Sequence, residues 1–179
     1  MLSLDDNRWK ELDHRGWSKG ERGYPDAPYI PDELKLLLEN PHDFDRLDYI
    51  SPYLSSENTT WAAAYAAIPY IVEIARKVSP KERTPCLDTI GFIAWNSASN
   101  VEEGAVIKPF LPAYYEALRE AMPLLIETIL EEHDAATTRY LLATLAALKG
   151  HVDLGEVISA LSYYNECPNC DEKIFDLNE

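Results

Sequence analysis

The chain has 179 residues, of which 46% are hydrophobic and 26% are charged, a composition typical of one globular domain with its own core. Its 31 acidic and 16 basic residues give a formal charge of −15 at pH 7. A surface this negative repels the phosphate backbone of nucleic acids, so nucleic-acid binding is not expected. The same charge keeps a protein soluble, and it also suits a protein partner that carries a basic patch.

The N-terminus, the hydropathy and the cysteine count predict the compartment. The first six residues include two aspartates and no lysine or arginine, so a secretory signal is not expected. No apolar run approaches the roughly 18 uncharged residues of a membrane span. Three cysteines, an odd number, argue against a disulfide scaffold and for a reducing environment. We therefore expect a cytoplasmic protein that does not contact a membrane.

Residues 1–30 are predicted to form an irregular N-terminal arm. Trp9 and Leu12 can anchor one short helical turn, whereas the three glycines between residues 16 and 23 interrupt any regular element. No Gly-Lys-Ser or Gly-Lys-Thr sequence follows these glycines, so they do not predict a phosphate-binding loop.

A short pair of helices is predicted after the arm. Pro31 begins the first helix, which ends near Glu39, and Asp43 is expected to cap the second. Apolar residues at helical spacing continue from Phe44 to Leu54. The shortness of this pair suits the terminal cap of a repeat array.

Two longer helices share one pattern around a proline. Apolar residues at helical spacing line one face of residues 61–78, which contain Pro69. The same offset separates Pro69 from Pro123 and Glu73 from Glu127, and both prolines have similar apolar neighbours. We expect a kink or a break at each proline, because the ring removes one backbone hydrogen bond and crowds the preceding turn.

Each proline-containing helix is followed by a second, capped helix. Ser79 and Glu82 are predicted to begin the first of these, with Pro80 at the first helical position. Asp134 is predicted to cap the other, which Gly150 ends. Two proline-containing helices, each followed by a capped apolar helix, indicate a helical-hairpin repeat.

The repeat domain is predicted to span residues 31–165. Its last helix begins near Asp153, and Val157 in that helix is expected to pack against the preceding pair. No stretch shows the period-2 alternation of a β-strand. The predicted fold class is therefore all-α, an α-α superhelix of stacked antiparallel hairpins with about seven helices.

Several motifs spread over most of the chain carry one resemblance: Trp9…Leu12…His14…Gly16, Ile30-Pro31…Leu34…Leu37, Thr60-Trp61…Ala64…Ala67-Ile68-Pro69 and a terminal Cys-Pro-x-Cys. On these residues the chain resembles a group of largely uncharacterised bacterial HEAT-repeat-like proteins. The resemblance implies an armadillo-type α-α superhelix and transfers no catalytic residue. Between Gly16 and Ile30 this chain holds several residues more than the pattern of that group.

Two cysteines in the C-terminal tail, residues 166–179, predict the one candidate metal site. Cys167 and Cys170 flank a Pro-Asn turn, and two thiolates at this spacing suit zinc. A structural zinc site needs four ligands, whereas Cys86 lies in a predicted helix and His151 is the only histidine nearby in sequence. The pair therefore predicts an incomplete zinc knuckle, and no other cofactor is expected. The same spacing also serves redox chemistry, which requires the first cysteine at a helix N-terminus.

A stack of helical hairpins provides a concave surface for partners, so a non-enzymatic protein-binding scaffold is the leading functional expectation. The second helices of the repeated pairs, near residues 83–95 and 137–149, are expected to line its groove. One alternative is an acidic immunity or inhibitor protein that neutralises a basic toxin. A second alternative is a hydrolase with a carboxylate site in the groove. No oligomeric state is predicted.

Overall fold

The computed structural model describes residues 1–12, 28–56, 59–97 and 104–160, and these residues form an all-α fold. The α-helices are α1 (Ile30–Glu39), α2 (Phe44–Leu54), α3 (Ala62–Lys77), α4 (Thr84–Ser97), α5 (Gly104–Ile107), α6 (Leu111–Glu131), α7 (Ala135–Leu148) and α8 (Val152–Ala160). Two 3₁₀-helices span Asn7–Glu11 and Pro80–Glu82. A short antiparallel ladder joins β1 (Ser55–Ser56) to β2 (Thr59–Thr60), which corrects the expectation that the chain forms no strand.

The helices pack as pairs that stack in two layers. Contacts join α1 to α2, α3 to α4 and α6 to α7 within the pairs. The first helices α1, α3 and α6 are neighbours in one layer, and the second helices α2, α4 and α7 are neighbours in the other. Helix α8 packs against α7 and extends the second-helix layer. These contacts agree with the stacked pairs that the repeated pattern predicts, while a superhelical curvature stays a prediction.

The two prolines of the repeated pattern lie inside neighbouring helices of the first layer. Pro69 is in α3 and Pro123 is in α6, and both helices continue through their proline. The sequence predicts a kink or a break at each proline, and a break does not occur. The lost backbone hydrogen bond is offset by packing, since Ile68 and Ile71 beside Pro69 are fully buried. A third helix-internal proline, Pro52 in α2, was not predicted.

The first twelve residues pack onto the core. Leu2, Trp9 and Leu12 are buried, and the predicted helical turn at Trp9 is confirmed as a 3₁₀-helix. The Tyr70 hydroxyl on α3 donates a hydrogen bond to the Leu2 carbonyl. This part of the predicted arm is therefore anchored to the first-helix layer.

Three predicted helix boundaries are confirmed. The Asp43 carboxylate accepts a hydrogen bond from the Arg46 backbone N–H at 3.2 Å, and Asp134 accepts one from the Thr137 N–H at 2.7 Å. Both bonds satisfy backbone donors that the first turn of a helix leaves free. Gly150 ends α7 with a φ of 81°, a conformation that glycine adopts without strain.

The predicted start of α4 at Ser79 is wrong. The Ser79 hydroxyl donates to Glu82 Oε2 at 2.6 Å and does not cap an α-helix. A 3₁₀-turn follows it, and α4 begins only at Thr84. Pro85 explains the restart, because its ring would clash with the carbonyl four residues earlier in a continuous helix.

The expected burial of Val157 is also wrong, since this side chain is 61% exposed. Helix α8 turns Gly155 toward α7, where an added Cβ would lie 2.9 Å from the Ala143 carbonyl oxygen. The close approach of the two backbones decides which face of α8 is covered. Asp153, the predicted cap, lies in the first turn of the helix, which begins at Val152.

One buried guanidinium, that of Arg83, connects α3 to α6 directly before α4 begins. The residue is only 5% exposed. Its Nε donates to the Ala75 carbonyl at 2.8 Å and one Nη donates to the Val78 carbonyl at 3.3 Å, at the end of α3. The other Nη donates to the Leu124 carbonyl at 3.3 Å and to Glu127 Oε2 at 2.9 Å, on α6. Arg83 thus satisfies carbonyls that a helix C-terminus leaves free and joins two neighbouring pairs.

We predict that Arg83→Ala lowers the free energy of unfolding by about 2–4 kcal/mol, because buried carbonyls lose their donors. Urea unfolding followed by circular dichroism measures the change. Arg119→Ala is the matched control, since Arg119 is exposed and pairs with Glu116 inside α6. The control should cost less than about 0.5 kcal/mol, and equal losses in both variants would contradict the role of Arg83.

Candidate functional site

A broad groove of about 1120 Å³ lies open to solvent on the second-helix layer. Its lining residues come from α2, α4, α7 and α8. The two segments predicted to line a groove, residues 83–95 and 137–149, supply the α4 and α7 parts of this one. That it is the concave surface of a superhelix stays a prediction. Arg83 itself is buried and serves the fold. The contributions of α2 and α8 were not predicted.

The floor of the groove lies where α4 and α7 come close together. A Cβ added to Gly91 on α4 would lie 2.2 Å from Thr144 Oγ1 and 2.8 Å from Thr144 Cβ on α7. No side chain fits at residue 91 unless one of the helices moves. Gly91 therefore sets the spacing of α4 and α7, and with it the width of the groove.

We predict that Gly91→Ala lowers the free energy of unfolding by about 1–3 kcal/mol, because the added methyl group overpacks the contact with Thr144. In a Thr144→Gly background the obstructing side chain is absent, so Gly91→Ala should lower the free energy of unfolding far less. The better helix propensity of alanine over glycine, about 1 kcal/mol, then acts without an opposing clash. A double-mutant cycle in urea measures this coupling. Strictly additive effects would show that Thr144 is not the obstacle.

The described residues that line the groove carry negative charge and no positive charge. Its four lining carboxylates come from three helices: Asp48 on α2, Asp88 on α4, and Asp153 and Glu156 on α8. No lysine, arginine or histidine is among the described residues that line the groove. Within the described ranges none of these four carboxylates forms an ion pair, whereas Glu120 in the first-helix layer pairs with Arg76 at 2.9 Å.

Asp88 is the groove carboxylate with the most perturbed acidity. The pKa of the Asp88 carboxyl is raised from 3.8 to about 6. Desolvation by the surrounding groove is the larger cause, and the negative charge of Asp48 is the smaller one. The side chain is nevertheless exposed to solvent in the open groove. Near these two carboxylates α2 and α4 are joined by a hydrogen bond of 3.1 Å between Ser51 Oγ and Thr89 Oγ1. The negative charge of the groove therefore falls when the pH drops through 6.

We predict that the Asp88 carboxyl titrates near pH 6, as measured by the carbon-13 shift of its carboxyl group in NMR. Asp48→Asn should lower this pKa by removing a like charge, while desolvation keeps it above 3.8. Asp153 and Glu156 are the other acids that line the groove, and Asp153→Asn serves as the control, with a smaller effect expected. A midpoint near pH 4 in the unmodified protein would contradict the desolvation of Asp88.

The raised pKa of Asp88 also predicts whether the free energy of unfolding rises or falls with pH. Because the pKa of Asp88 is higher in the folded state, the folded protein binds this proton more tightly than the unfolded chain does. The contribution of Asp88 to stability therefore decreases as the pH rises from about 4 to about 6. Asp88→Asn should raise the free energy of unfolding at pH 7 by less than about 1 kcal/mol, since solvent screens an exposed group, and should have no such effect near pH 3. Urea unfolding at both pH values measures the difference, and a loss of stability at pH 7 would contradict it.

Aromatic side chains stand beside the carboxylates. Phe92 on α4 is 50% exposed and Tyr140 on α7 is 46% exposed, and both line the groove together with Trp95. Asp88, Phe92 and Trp95 follow one another at helical spacing and so share one face of α4. The guanidinium of Arg139 lies 5.2 Å from the centroid of the Tyr140 ring, a cation–π contact. The groove therefore offers stacking surfaces as well as negative charge.

The predicted zinc ligands Cys167 and Cys170 lie outside the described residues, so that site stays a prediction. Cys86 is a buried free thiol in α4, and desolvation raises its pKa to about 12, which keeps it protonated and unsuited to zinc. His151 is exposed between α7 and α8. In the ranges that the structure describes, no group of three or more histidine, cysteine, aspartate or glutamate side chains is placed to hold a metal ion.

The sequence did not predict Asp48 and Asp88 as site residues, because they lie on different helices and are distant along the chain. Their proximity results from the packing of α2 against α4. The available signal was local: Asp88 and Phe92 lie four residues apart on the outer face of a helix whose inner face is apolar. An exposed aromatic side chain on such a face is a feature of binding surfaces.

Comparisons of the chain with family models, with curated proteins and with solved structures found no match. Among the described helices, none has the length and apolar character required to cross a membrane. The HEAT-like resemblance stays a prediction, and the function has to be argued from the groove.

Proposed function

We propose that this protein is a non-enzymatic binding scaffold of the HEAT-like repeat type, whose groove on the second-helix layer binds a protein partner with a basic surface. The observation that carries the proposal is a groove of about 1120 Å³ with acidic and exposed aromatic side chains and without a basic one among its described lining residues. A cytoplasmic location, expected from the cysteine count, belongs to the same proposal.

Charge and aromatic area have separate roles in this binding. Carboxylates without a counterion attract a basic partner over several ångströms and orient it during encounter. Aromatic side chains such as Phe92 and Tyr140 then provide buried contact area, since tyrosine and other aromatics are enriched in the centres of interfaces. Because Phe92 is half exposed in the free protein, a partner gains apolar burial without unfolding any part of the scaffold.

A displayed library of random peptides, selected on the immobilised protein, tests this proposal. We expect the selected peptides to be rich in lysine and arginine and to bind the groove variant Asp88→Asn/Glu156→Gln about tenfold more weakly, which is about 1.4 kcal/mol. Glu39→Gln/Glu131→Gln is a control of equal charge change, because both glutamates are exposed in the first-helix layer. Peptides without basic residues, or equal loss in both variants, would contradict the proposal.

A narrower candidate is an immunity or inhibitor protein that neutralises a basic toxin, which the net charge of −15 favours. Co-purification from the native host tests it. A single basic partner whose affinity falls steeply between about 0.05 and 0.5 M salt supports it, because salt screens charge attraction over this range. An affinity that does not depend on salt would remove charge as the basis of recognition. The hydrolase alternative requires two acids with raised pKa values in a deep cleft, whereas this groove is open to solvent, so it is not proposed.

A further inference from the structure

The carboxylates of Asp48 and Asp88 lie on α2 and α4, two helices that pack against each other and both line the groove. The hydrogen bond between Ser51 and Thr89 holds α2 and α4 together beside them at 3.1 Å. Ser51 lies one helical turn after Asp48 and Thr89 directly follows Asp88, so this hydrogen bond places the two carboxylates on neighbouring turns of the packed helices. Both line the same open groove, so a group that enters from solvent reaches both.

Two like charges in this position favour one shared cation. Each carboxylate repels the other, and within the described residues neither has an ion-pair partner in the protein. A cation placed between them removes the repulsion and gains two charge-assisted hydrogen bonds. A positively charged group of a partner would supply this cation.

The surroundings of the pair favour a guanidinium over an ammonium. Phe92 and Trp95 lie one and two helical turns beyond Asp88 on α4, where a planar group can stack. The groove aromatic Tyr140 already has the guanidinium of Arg139 at 5.2 Å from its ring. Arginine spreads five donors over a flat group that stacks on aromatic rings, whereas the lysine ammonium is a compact and strongly hydrated charge.

Resting on the proposed function, we infer that the groove recognises an arginine side chain of its protein partner, held between Asp48 and Asp88 and stacked against Phe92. The occupant is an arginine-bearing segment of another protein. The remainder of the groove, toward Tyr140 and α8, receives the neighbouring residues of that segment.

The experiment uses three capped amino acids as probes: N-acetyl-arginine amide, N-acetyl-lysine amide and N-acetyl-citrulline amide. Each is titrated into the isotope-labelled full chain and followed by NMR. The arginine probe should shift the backbone signals of Asp88 and Phe92 and the indole signal of Trp95. It should bind at least about threefold more tightly than the lysine probe, and neutral citrulline, which has nearly the same shape as arginine, should not bind.

Variants separate this subsite from general attraction to an acidic surface. Asp48→Asn/Asp88→Asn should abolish the shifts, and Phe92→Leu should reduce the preference for arginine over lysine. Glu39→Gln/Glu131→Gln, with the same charge change, should leave binding unaltered. All of these residues except Glu39 and Glu131 line the groove, and all are exposed, so the variants are expected to fold.

Equal binding of the arginine and lysine probes, shifts spread over the whole surface, or binding that survives in Asp48→Asn/Asp88→Asn would overturn the inference. The experiments distinguish failure of the arginine subsite from failure of the proposed function. If basic library peptides still bind through Asp88 and Glu156 while the arginine probe binds nowhere in the groove, only the arginine subsite is wrong. If neither the peptides nor the probe binds in the groove, the proposed function is wrong as well.

Discussion

The buried guanidinium of Arg83 holds neighbouring helix pairs together. A charged group at 5% exposure is costly to bury unless its donors are used, and here they reach carbonyls at the end of α3 and both a carbonyl and a carboxylate on α6. Arginine suits this position because its donors are fixed in a flat fork that reaches several acceptors at once. Since Arg83 directly precedes α4, the same network locates the helix that carries Asp88 and Phe92. The geometry of the groove thus depends on a residue that does not line it.

The two layers differ in how they use charge. In the first-helix layer, Glu120 and Glu127 have arginine partners at 2.9 Å. Such pairs contribute little stability when they are exposed, so their main effect here is to neutralise that surface. On the second-helix layer the groove carboxylates have no such partner within the described ranges, and part of the net charge of −15 is left where aromatic side chains are exposed. Charge and exposed aromatic area therefore meet on one face of the described structure.

Predictions agree best with the structure where the sequence signal acts between residues that are close along the chain. Asp43 and Asp134 were predicted correctly because an N-cap bond spans only three residues. The predicted start of α4 was wrong. Ser79 matches a capping pattern, but Pro85, several residues later, prevents a helix that is continuous from Ser79. The predicted burial of Val157 was wrong because Gly155, which packs against the backbone of α7, determines which face of α8 is covered. That contact joins two helices and leaves no periodic signal in either of them.

The amino-acid sequence by itself determined the helices, most of their ends and the pairing of successive helices. These features follow from apolar periodicity and capping, which act within a few turns. Only the tertiary structure decided that Asp48 and Asp88 approach each other, that Phe92 stands beside them, and that α8 completes the groove. The position of Asp48 relative to Asp88 depends on how α2 packs against α4. The spacing of α4 and α7 is likewise set by shape, through Gly91 and Thr144, rather than by any local pattern.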